Sequence, residues 1–398
     1  MDVSAKGKFN DEESENINTD DKITINTIQR TVFVERLPNP LDIKTFVRDY
    51  LPFDFDNLYP NKIKAIADRS GSTKTAIGTL SSFISGEGFG DDINELILND
   101  EKQTFWDILR FITTTRAMFD GICLHFNYNL LGEIIEINEI NFEALRYSPD
   151  MDKVILNQDW RRYNKKKVTV YDVFNPGAVL EQMKRDGGTE NYKGQVLYWT
   201  PRKQDVYALC RFDSVLDDAQ FEAESKIYKL SCIQNDFAIG GIIKYPYQFD
   251  NTKEINKLKS NVKQSKGSRN AGKNWLLPIT NEMVNSKLFE PISRNNIDGL
   301  FTNQNKESKF NIYAAFQQPP ILNGIATQGM FNQESFEDAF NYYNSYVETD
   351  RKEIEKILSE IISVSIWANL GDIKIIPKVF IERKETKQGE NTSTDDRD

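Results

Sequence analysis

Residues 317–332 read Gln317-Gln318-Pro319-Pro320-Ile321-Leu322-Asn323-Gly324-Ile325-Ala326-Thr327-Gln328-Gly329-Met330-Phe331-Asn332. Regular helix and central strand are both closed to this stretch, because its prolines lack a backbone donor and its glycines mark turns. Directly behind it, Phe336, Phe340, Tyr343, Val347, Ile354, Leu358 and Ile361 recur at helical spacing. That stripe predicts one amphipathic helix from Asn332 to Ile362. At about 1.5 Å per residue, its roughly 30 residues extend ~45 Å, enough to cross a whole layer of the protein. The chain must therefore seat an irregular segment against the start of a long helix.

Upstream, residues 1–30 are polar and acidic, with little material for a core, and are expected to be a disordered arm. Order is expected from about Thr31, with a helical pattern through Ile43, Phe46, Val47 and Tyr50. From Tyr59-Pro60 to Ile84 the apolar spacing predicts helix, short break, helix, closed by Gly86-Glu87-Gly88-Phe89-Gly90. A further helix is expected from Thr104 to Phe119. Ile122, Leu124, Phe126 and Tyr128 then alternate with polar positions and, past Gly132, meet Ile134-Ile135-Glu136-Ile137, a half-buried hairpin. Short strands are expected next at 153–156, 168–171, 196–199 and 205–210.

A helix should open at Asp213-Ser214, where Ser214 and Asp217 have capping-box spacing, and run to about Asn235. Between it and a second helix, Arg294 to Phe316, lies a small α/β insert: a strand-like run from Phe237 to Tyr245, a polar helix over 252–264, and Trp275-Leu276-Leu277. A last strand is expected over 373–381, before a charged tail, 382–398, that should be disordered. The fold class is α+β.

Composition narrows the function. A net charge of −10 argues against a protein that coats nucleic acid. One histidine, His125, leaves little room for histidine catalysis or a multi-histidine metal site, and its place on the polar side of a strand predicts a surface residue. Cys123, Cys210 and Cys232 have no paired spacing and read as buried thiols. No apolar run is long enough to span a membrane, and the N-terminus lacks the apolar core of a secretory signal, so cytoplasmic synthesis and residence are expected. No nucleophile has an assignable base, and no catalytic, cofactor-binding or metal-binding residue is assigned.

Two charge anomalies stand out. Lys253, Lys257, Lys259, Lys263, Lys266, Arg269 and Lys273 face Glu254 alone, either a solvated helix face or a docking patch for an acidic partner or, as the lesser alternative, for DNA phosphates. Conversely, no Lys or Arg occurs from Phe310 to Asp350, whereas Glu334, Glu337, Asp338, Glu348 and Asp350 do. A surface that holds DNA would be basic; one past which DNA slides should be uncharged or repulsive. Gly267-Ser268-Arg269-Asn270-Ala271-Gly272-Lys273 fits the G-x-x-x-x-G-K of a phosphate-binding loop, but Asn274 replaces its Ser or Thr and a strand rather than a helix comes next.

Four segments, in order, resemble portal proteins of long-tailed bacteriophages. Tyr59-Pro60 to Ile84-Ser85-Gly86-Glu87-Gly88-Phe89 is similar to the early wing segment. Phe119-Asp120-Gly121 to Asn138-Glu139-Ile140, followed by Leu145-Arg146, is similar to the wing hairpin. Asp236-Phe237 through Pro246 to Lys273 resembles the clip, and Pro319-Pro320-Ile321-Leu322-Asn323-Gly324 with Phe331-Asn332 resembles the tunnel loop. The resemblance implies a portal-type fold: an α/β wing over 31–213, paired stem helices over 214–237 and 294–317, and a clip over 238–293. It further implies a tunnel loop over 318–332 carrying Pro319, Pro320, Asn323, Gly324, Thr327, Gln328 and Gly329, with Asn323 to Gln328 lining a pore. The long wing helix and terminal strand would occupy 333–381. About thirty residues come after Ile366, which implies little or no crown.

The implied function is a homo-oligomeric ring, commonly of about twelve copies, at one capsid vertex of a virion assembled in the host bacterial cytoplasm. Double-stranded DNA would pass through it during packaging and ejection. Its partners would be the terminase large subunit, a head-tail adaptor, the major capsid protein and scaffold, with no cofactor and no membrane. The alternatives are a nucleotide-binding or nucleic-acid-acting enzyme built on Gly267 to Lys273, or another structural or adaptor protein of a phage particle.

Overall fold

The structure, a computed structural model, describes residues 49–54, 56–201, 206–234, 241–246, 275–279, 289–291, 297–324 and 333–380, together with positions 253, 256 and 260. The acidic arm 1–30, the onset of order at Thr31, most of the helical pattern Ile43 to Tyr50, and the tail 382–398 lie outside the described residues.

Helices α1 (Tyr59–Arg69) and α2 (Gly71–Ser85) meet at Ser70, whose hydroxyl accepts the Thr73 backbone N–H and caps α2. The single turn α3 (Asp91–Asn94) precedes α4 (Phe105–Phe119), which begins with a capping box: Thr104 accepts the Asp107 N–H while Asp107 accepts the Thr104 N–H. Along α2 and α4 the positions Ala76, Leu80, Ile84, Ile108, Leu109 and Ile112 are all within 1% of full burial. Their stripes pack α2 against α4, and α4 in turn lies on the first strand.

That strand belongs to a six-stranded sheet of order β2-β1-β6-β5-β4-β3. Its members are β1 (Ile122–Tyr128), β2 (Ile134–Glu139), β3 (Leu145–Tyr147), β4 (Lys153–Leu156), β5 (Thr169–Val173) and β6 (Gln195–Trp199). All neighbours are antiparallel except β5 and β6, whose parallel pairing needs a crossover; α5 (Val179–Arg185) supplies it. Both edges are occupied: Ser365 bridges Ile134 on β2, and the Leu51 N–H donates to the Tyr147 carbonyl on β3.

The expected strand over 205–210 is not one. Positions 206–208 and 210 are buried one after another, so side chains of the described part do not alternate between a wet and a dry face. His125 is half-buried rather than open to solvent. Its Nε2 lies 2.7 Å from the Lys193 carbonyl oxygen, its ring packs on Tyr171 at 4.9 Å, and burial lowers its pKa. Cys123 and Cys210 are buried and Cys232 is half-buried, all three as thiols.

After a 3-10 turn at Asp213–Val215, which contains Ser214, comes α6 (Leu216–Gln234). A second sheet comes next, in the order β8-β7-β9, of β7 (Gly241–Pro246), β8 (Trp275–Ile279) and β9 (Phe289–Pro291); β7 is parallel to β8 and antiparallel to β9. Helix α7 (Ile297–Ala315) then packs along α6. Polar side chains join the two helices: Ser225 Oγ donates to Asn305 Oδ1 at 3.1 Å, and Asn311 Nδ2 donates to Asp218 Oδ2 at 3.2 Å.

The single long helix expected from Asn332 to Ile362 is two, α8 (Gln333–Tyr346) and α9 (Glu348–Ser363), parted at Val347. Arg351 explains the break. Its guanidinium bonds the Asn344 carbonyl (3.3 Å) and side-chain oxygen while also bonding the Phe83 carbonyl (2.7 Å), so a side chain intrudes on the α8 ladder at its last turn. Of the expected terminal strand over 373–381, the described residues 373–380 form no regular strand. They are held by reciprocal bonds, Glu87 N–H to the Ile376 carbonyl (2.8 Å) and Ile376 N–H to the Gly88 carbonyl (2.7 Å), with Pro377 interrupting any longer ladder.

This docking depends on Gly86, at φ +56, where an added Cβ would stand 2.1 Å from the Ile376 carbonyl oxygen. Gly86→Ala should lower stability in denaturant titration by about 2 kcal/mol or more, since both backbone strain and the clash oppose it. Gly78→Ala, in the middle of α2 with nothing within 4 Å of the new methyl, should leave stability equal or higher. Equal effects of the two changes would contradict the docking.

Candidate functional site

A buried group of charges joins the α4 end, the approach to α6, and α9. Arg116 is 4% exposed and bonds Asp120 Oδ1 at 2.7 Å, Asp350 Oδ1 at 2.9 Å and Glu353 Oε2 at 2.7 Å. Arg211 bonds Asp120 Oδ1 at 3.1 Å and also Asp350. The Arg116 guanidinium lies over the Trp199 ring of β6, 5.2 Å from its centroid. Asp120 can reach both arginines because it takes the left-handed conformation (φ 55) that ends α4. Burial opposes the Arg211 charge, but the Asp350 carboxylate more than offsets this and raises its pKa.

Further along α6, Glu222 is 3% exposed and meets the N-terminus of α2. Its carboxylate accepts from Ser70 Oγ (2.6 Å), Ser72 N (3.2 Å) and Ser72 Oγ (3.2 Å), with Lys226 Nζ at 2.9 Å. Burial alone would raise its pKa, yet these bonds and the helix end hold it below the usual carboxylate range. Tyr59 adds a third tie, donating to Asp213 Oδ1 at 2.7 Å. The start of α6 is thus clamped to the body, whereas Leu230 and Ile233 near its end are 54% and 53% exposed.

The Pro-Gly segment begins where α7 ends. Gln318, 3% exposed, donates to the Ala76 carbonyl at 2.6 Å and to Tyr343 Oη at 3.0 Å, pinning the segment between α2 and α8. Pro319 precedes a 3-10 turn, Pro320–Asn323, capped by Gly324 at φ 68. Asn323 donates to Gln318 Oε1 and lies 3.5 Å from Thr79 Oγ1. Thr327, Gln328 and Gly329 lie outside the described residues. Of the five carboxylates expected to make this region repulsive, Asp350 is buried against the two arginines and Glu348 is paired with Lys352 at 2.6 Å. Glu334, Glu337 and Asp338 on α8 remain.

Of the basic patch, Lys253 is helical and exposed, as are Asn256 and Ser260 in secondary structure and exposure. Lys257, Lys259, Lys263, Lys266, Arg269 and Lys273 lie outside the described residues, as does the phosphate-loop-like run they enter. The element after that run, Trp275–Ile279, is a strand and not the helix a phosphate loop opens into. Among the described residues no group of three or more His, Cys, Asp or Glu is placed to hold a metal ion, and no described helix is long and apolar enough to cross a membrane. Arg116, Arg211 and Glu222 were not found from the sequence; for Arg116 and Glu222 the available signal was a charged residue on an otherwise apolar helix face, and Arg211, in the turn ahead of α6, carried none.

No family model matches the sequence and no curated protein matches it. Among solved structures, a chain from the neck of a native gene transfer agent particle computed with C12 symmetry is similar at 12% identity and TM-score 0.48, over 80% of this chain and 84% of that one. A chain of the native gene transfer agent virion is similar at 12% identity and TM-score 0.47, over 79% and 83%. An HK97-family phage portal protein from Corynebacterium diphtheriae is similar at 11% identity and TM-score 0.39, over 79% and 95%. At these values the likeness is one of chain course only.

Asp350→Ala would remove the buried carboxylate that Arg116 and Arg211 share, leaving them Asp120 and, for Arg116, the partly exposed Glu353. It should cost about 2 kcal/mol or more in denaturant unfolding, since charge-assisted buried bonds are lost, against less than about 1 kcal/mol for Glu348→Ala at the exposed pair. Equal costs would remove the cluster from its central place. For Glu222, whose folded pKa lies below its unfolded value of about 4.3, the added stability is complete above that value and is lost as pH falls toward the folded pKa. Wild type should therefore lose stability more steeply below about pH 4.5 than Glu222→Gln; parallel curves would contradict the clamp.

Proposed function

We propose that the chain is a portal-type subunit: copies assemble into a ring at one capsid vertex, through which double-stranded DNA is packaged and released. The observation that carries this reading is the order of its parts. Two helices, α6 and α7, bracket a small separate sheet, and α7 runs directly into a pinned Pro-Gly turn that leads to α8 and α9. That is the order in which the sequence resembles stem, clip, stem, tunnel loop and wing helix. The helix pair is clamped at one end by the Arg116 cluster and Glu222, as a stem rooted in a wing would need. Residues 323–328 would face the DNA, and the absence of Lys or Arg between Phe310 and Asp350 suits passage rather than capture.

In this reading the clip, with its Lys-rich helix, presents a docking face to the terminase large subunit or the head-tail adaptor, and the wing meets capsid protein and scaffold. The chain acts as a structural channel and not as an enzyme. A ring of identical chains uses heterologous contacts, each copy offering two different surfaces that close on rotation.

Mass measurement and negative-stain imaging of the purified full chain, with co-expressed scaffold as a second condition, test this. A closed ring of about twelve copies is expected; a stable monomer in both conditions would overturn the reading. ATP binding that is lost in Lys273→Ala would instead favour the nucleotide-binding alternative.

A further inference from the structure

The connection between β4 and β5 carries the densest run of positive charge among the described residues. It reads Asp159-Trp160-Arg161-Arg162-Tyr163-Asn164-Lys165-Lys166-Lys167, five cations against one carboxylate, in a chain of net charge −10. All five cations are exposed. Lys165 pairs with Asp49 at 2.8 Å across an open surface.

The loop is built, not slack. Two successive turns shape it: the Arg162 N–H donates to the Asp159 carbonyl (3.1 Å) and the Lys167 N–H to the Asn164 carbonyl (2.8 Å). Each turn is reinforced by its own first side chain, Asp159 Oδ1 accepting the Arg161 N–H and Asn164 Oδ1 accepting the Lys166 N–H, both at 3.0 Å. Trp160 anchors the whole. It is 6% exposed, its indole N–H donates to the Ala144 carbonyl at 2.9 Å, and its ring lies parallel to Tyr163 and against Tyr50. Beneath it the Arg146 guanidinium sits 5.0 Å from the ring centroid.

The aromatic residues are thus committed to holding the loop, and the cations are what it shows to solvent. Protein partners are held chiefly by aromatic or apolar anchors in desolvated pockets, with charge at the rim. This loop offers charge without such an anchor. The chemistry that matches is a regular polyanion, since duplex DNA presents about one charge per 1.7 Å of axis and is bound without sequence preference through its phosphates.

The geometry points to Arg161, Arg162, Lys166 and Lys167 as a sequence-independent contact for the phosphate backbone of double-stranded DNA, separate from the Pro-Gly segment. The contact does not depend on ring formation, and a monomer would retain it.

The test is fluorescence anisotropy of the full chain with a short labelled DNA duplex over a salt series. The comparison is the variant Arg161→Gln/Arg162→Gln/Lys166→Gln/Lys167→Gln, which leaves Trp160, Tyr163 and the Lys165 to Asp49 pair in place. At low salt the variant should bind at least about tenfold more weakly, and the slope of log affinity against log salt should fall by about 3 to 4. Arg161→Lys/Arg162→Lys should bind like wild type, because point charge suffices for phosphate. An unaltered midpoint of thermal unfolding in each variant shows that the loop change has not unfolded the chain. Equal affinity and slope in wild type and the quadruple variant would overturn the assignment, whichever other part of the chain binds DNA. So would a wild type with no salt-dependent binding, the result expected of a site for acidic protein or of a solvated loop.

Discussion

The Arg116 to Asp350 contact is the interaction on which the remaining architecture depends. It brings together residues 234 positions apart and, through Asp120, Arg211, Glu353 and Trp199, fixes four elements at one point. Apolar packing could bury the same volume, and often with greater stability, but it would not specify so sharply which residues meet. Here the specificity concerns where α6 leaves the body. Arg211 lies just ahead of the turn that opens α6, so the charges that hold α4 to α9 also set the root of the helix pair. Glu222 repeats the device higher on α6, using the buried donors of Ser70 and Ser72 at the start of α2.

Different forces hold the other parts. In the body, aromatic and aliphatic side chains close the core, as where Phe83 meets Phe340 and Tyr343 at ring separations of 5.0 Å. Between α6 and α7 the hydrogen bonds are between polar side chains, Ser225 to Asn305 and Asn311 to Asp218. A rigid root and a polar seam suit the proposed stem, which must keep its position in the body while standing among copies of itself. The pinned start of the Pro-Gly segment belongs to the same logic. Gln318 is fixed from both sides, so the chain leaves Gly324 from a defined place.

Much of this was legible in the sequence wherever the cause was local. The helix from Thr104 to Phe119, the alternation of Ile122 to Tyr128, and the short break between Tyr59 and Ile84 each carry their signal within a few residues, and the elements formed there. The division at Val347 was not legible, because the apolar stripe from Phe336 to Ile361 runs through it unbroken. The helices are parted by Arg351, which reaches back to Asn344 and across to Phe83. The acidic character of 334–350 was legible as charge but not as function: Asp350 belongs to the interior and Glu348 to an ion pair. The half-burial of His125 was not legible either, since its polar phase on β1 says nothing of Tyr171 and Lys193 arriving from β5 and the turn before β6. For the candidate site, Pro319, Pro320, Asn323 and Gly324 were placed as an irregular turn by composition alone. The residues that hold that turn down come from α2 and α8.

The central claim is that the turn after α7 and the helix pair before it face an axis shared by many copies. A density map of the assembled oligomer tests it most directly. The account predicts that α6 and α7 line a central channel and that the backbone between Gly324 and Gln333 stands closest to the axis. The same segment on the outer rim, or an assembly with no channel, would contradict it.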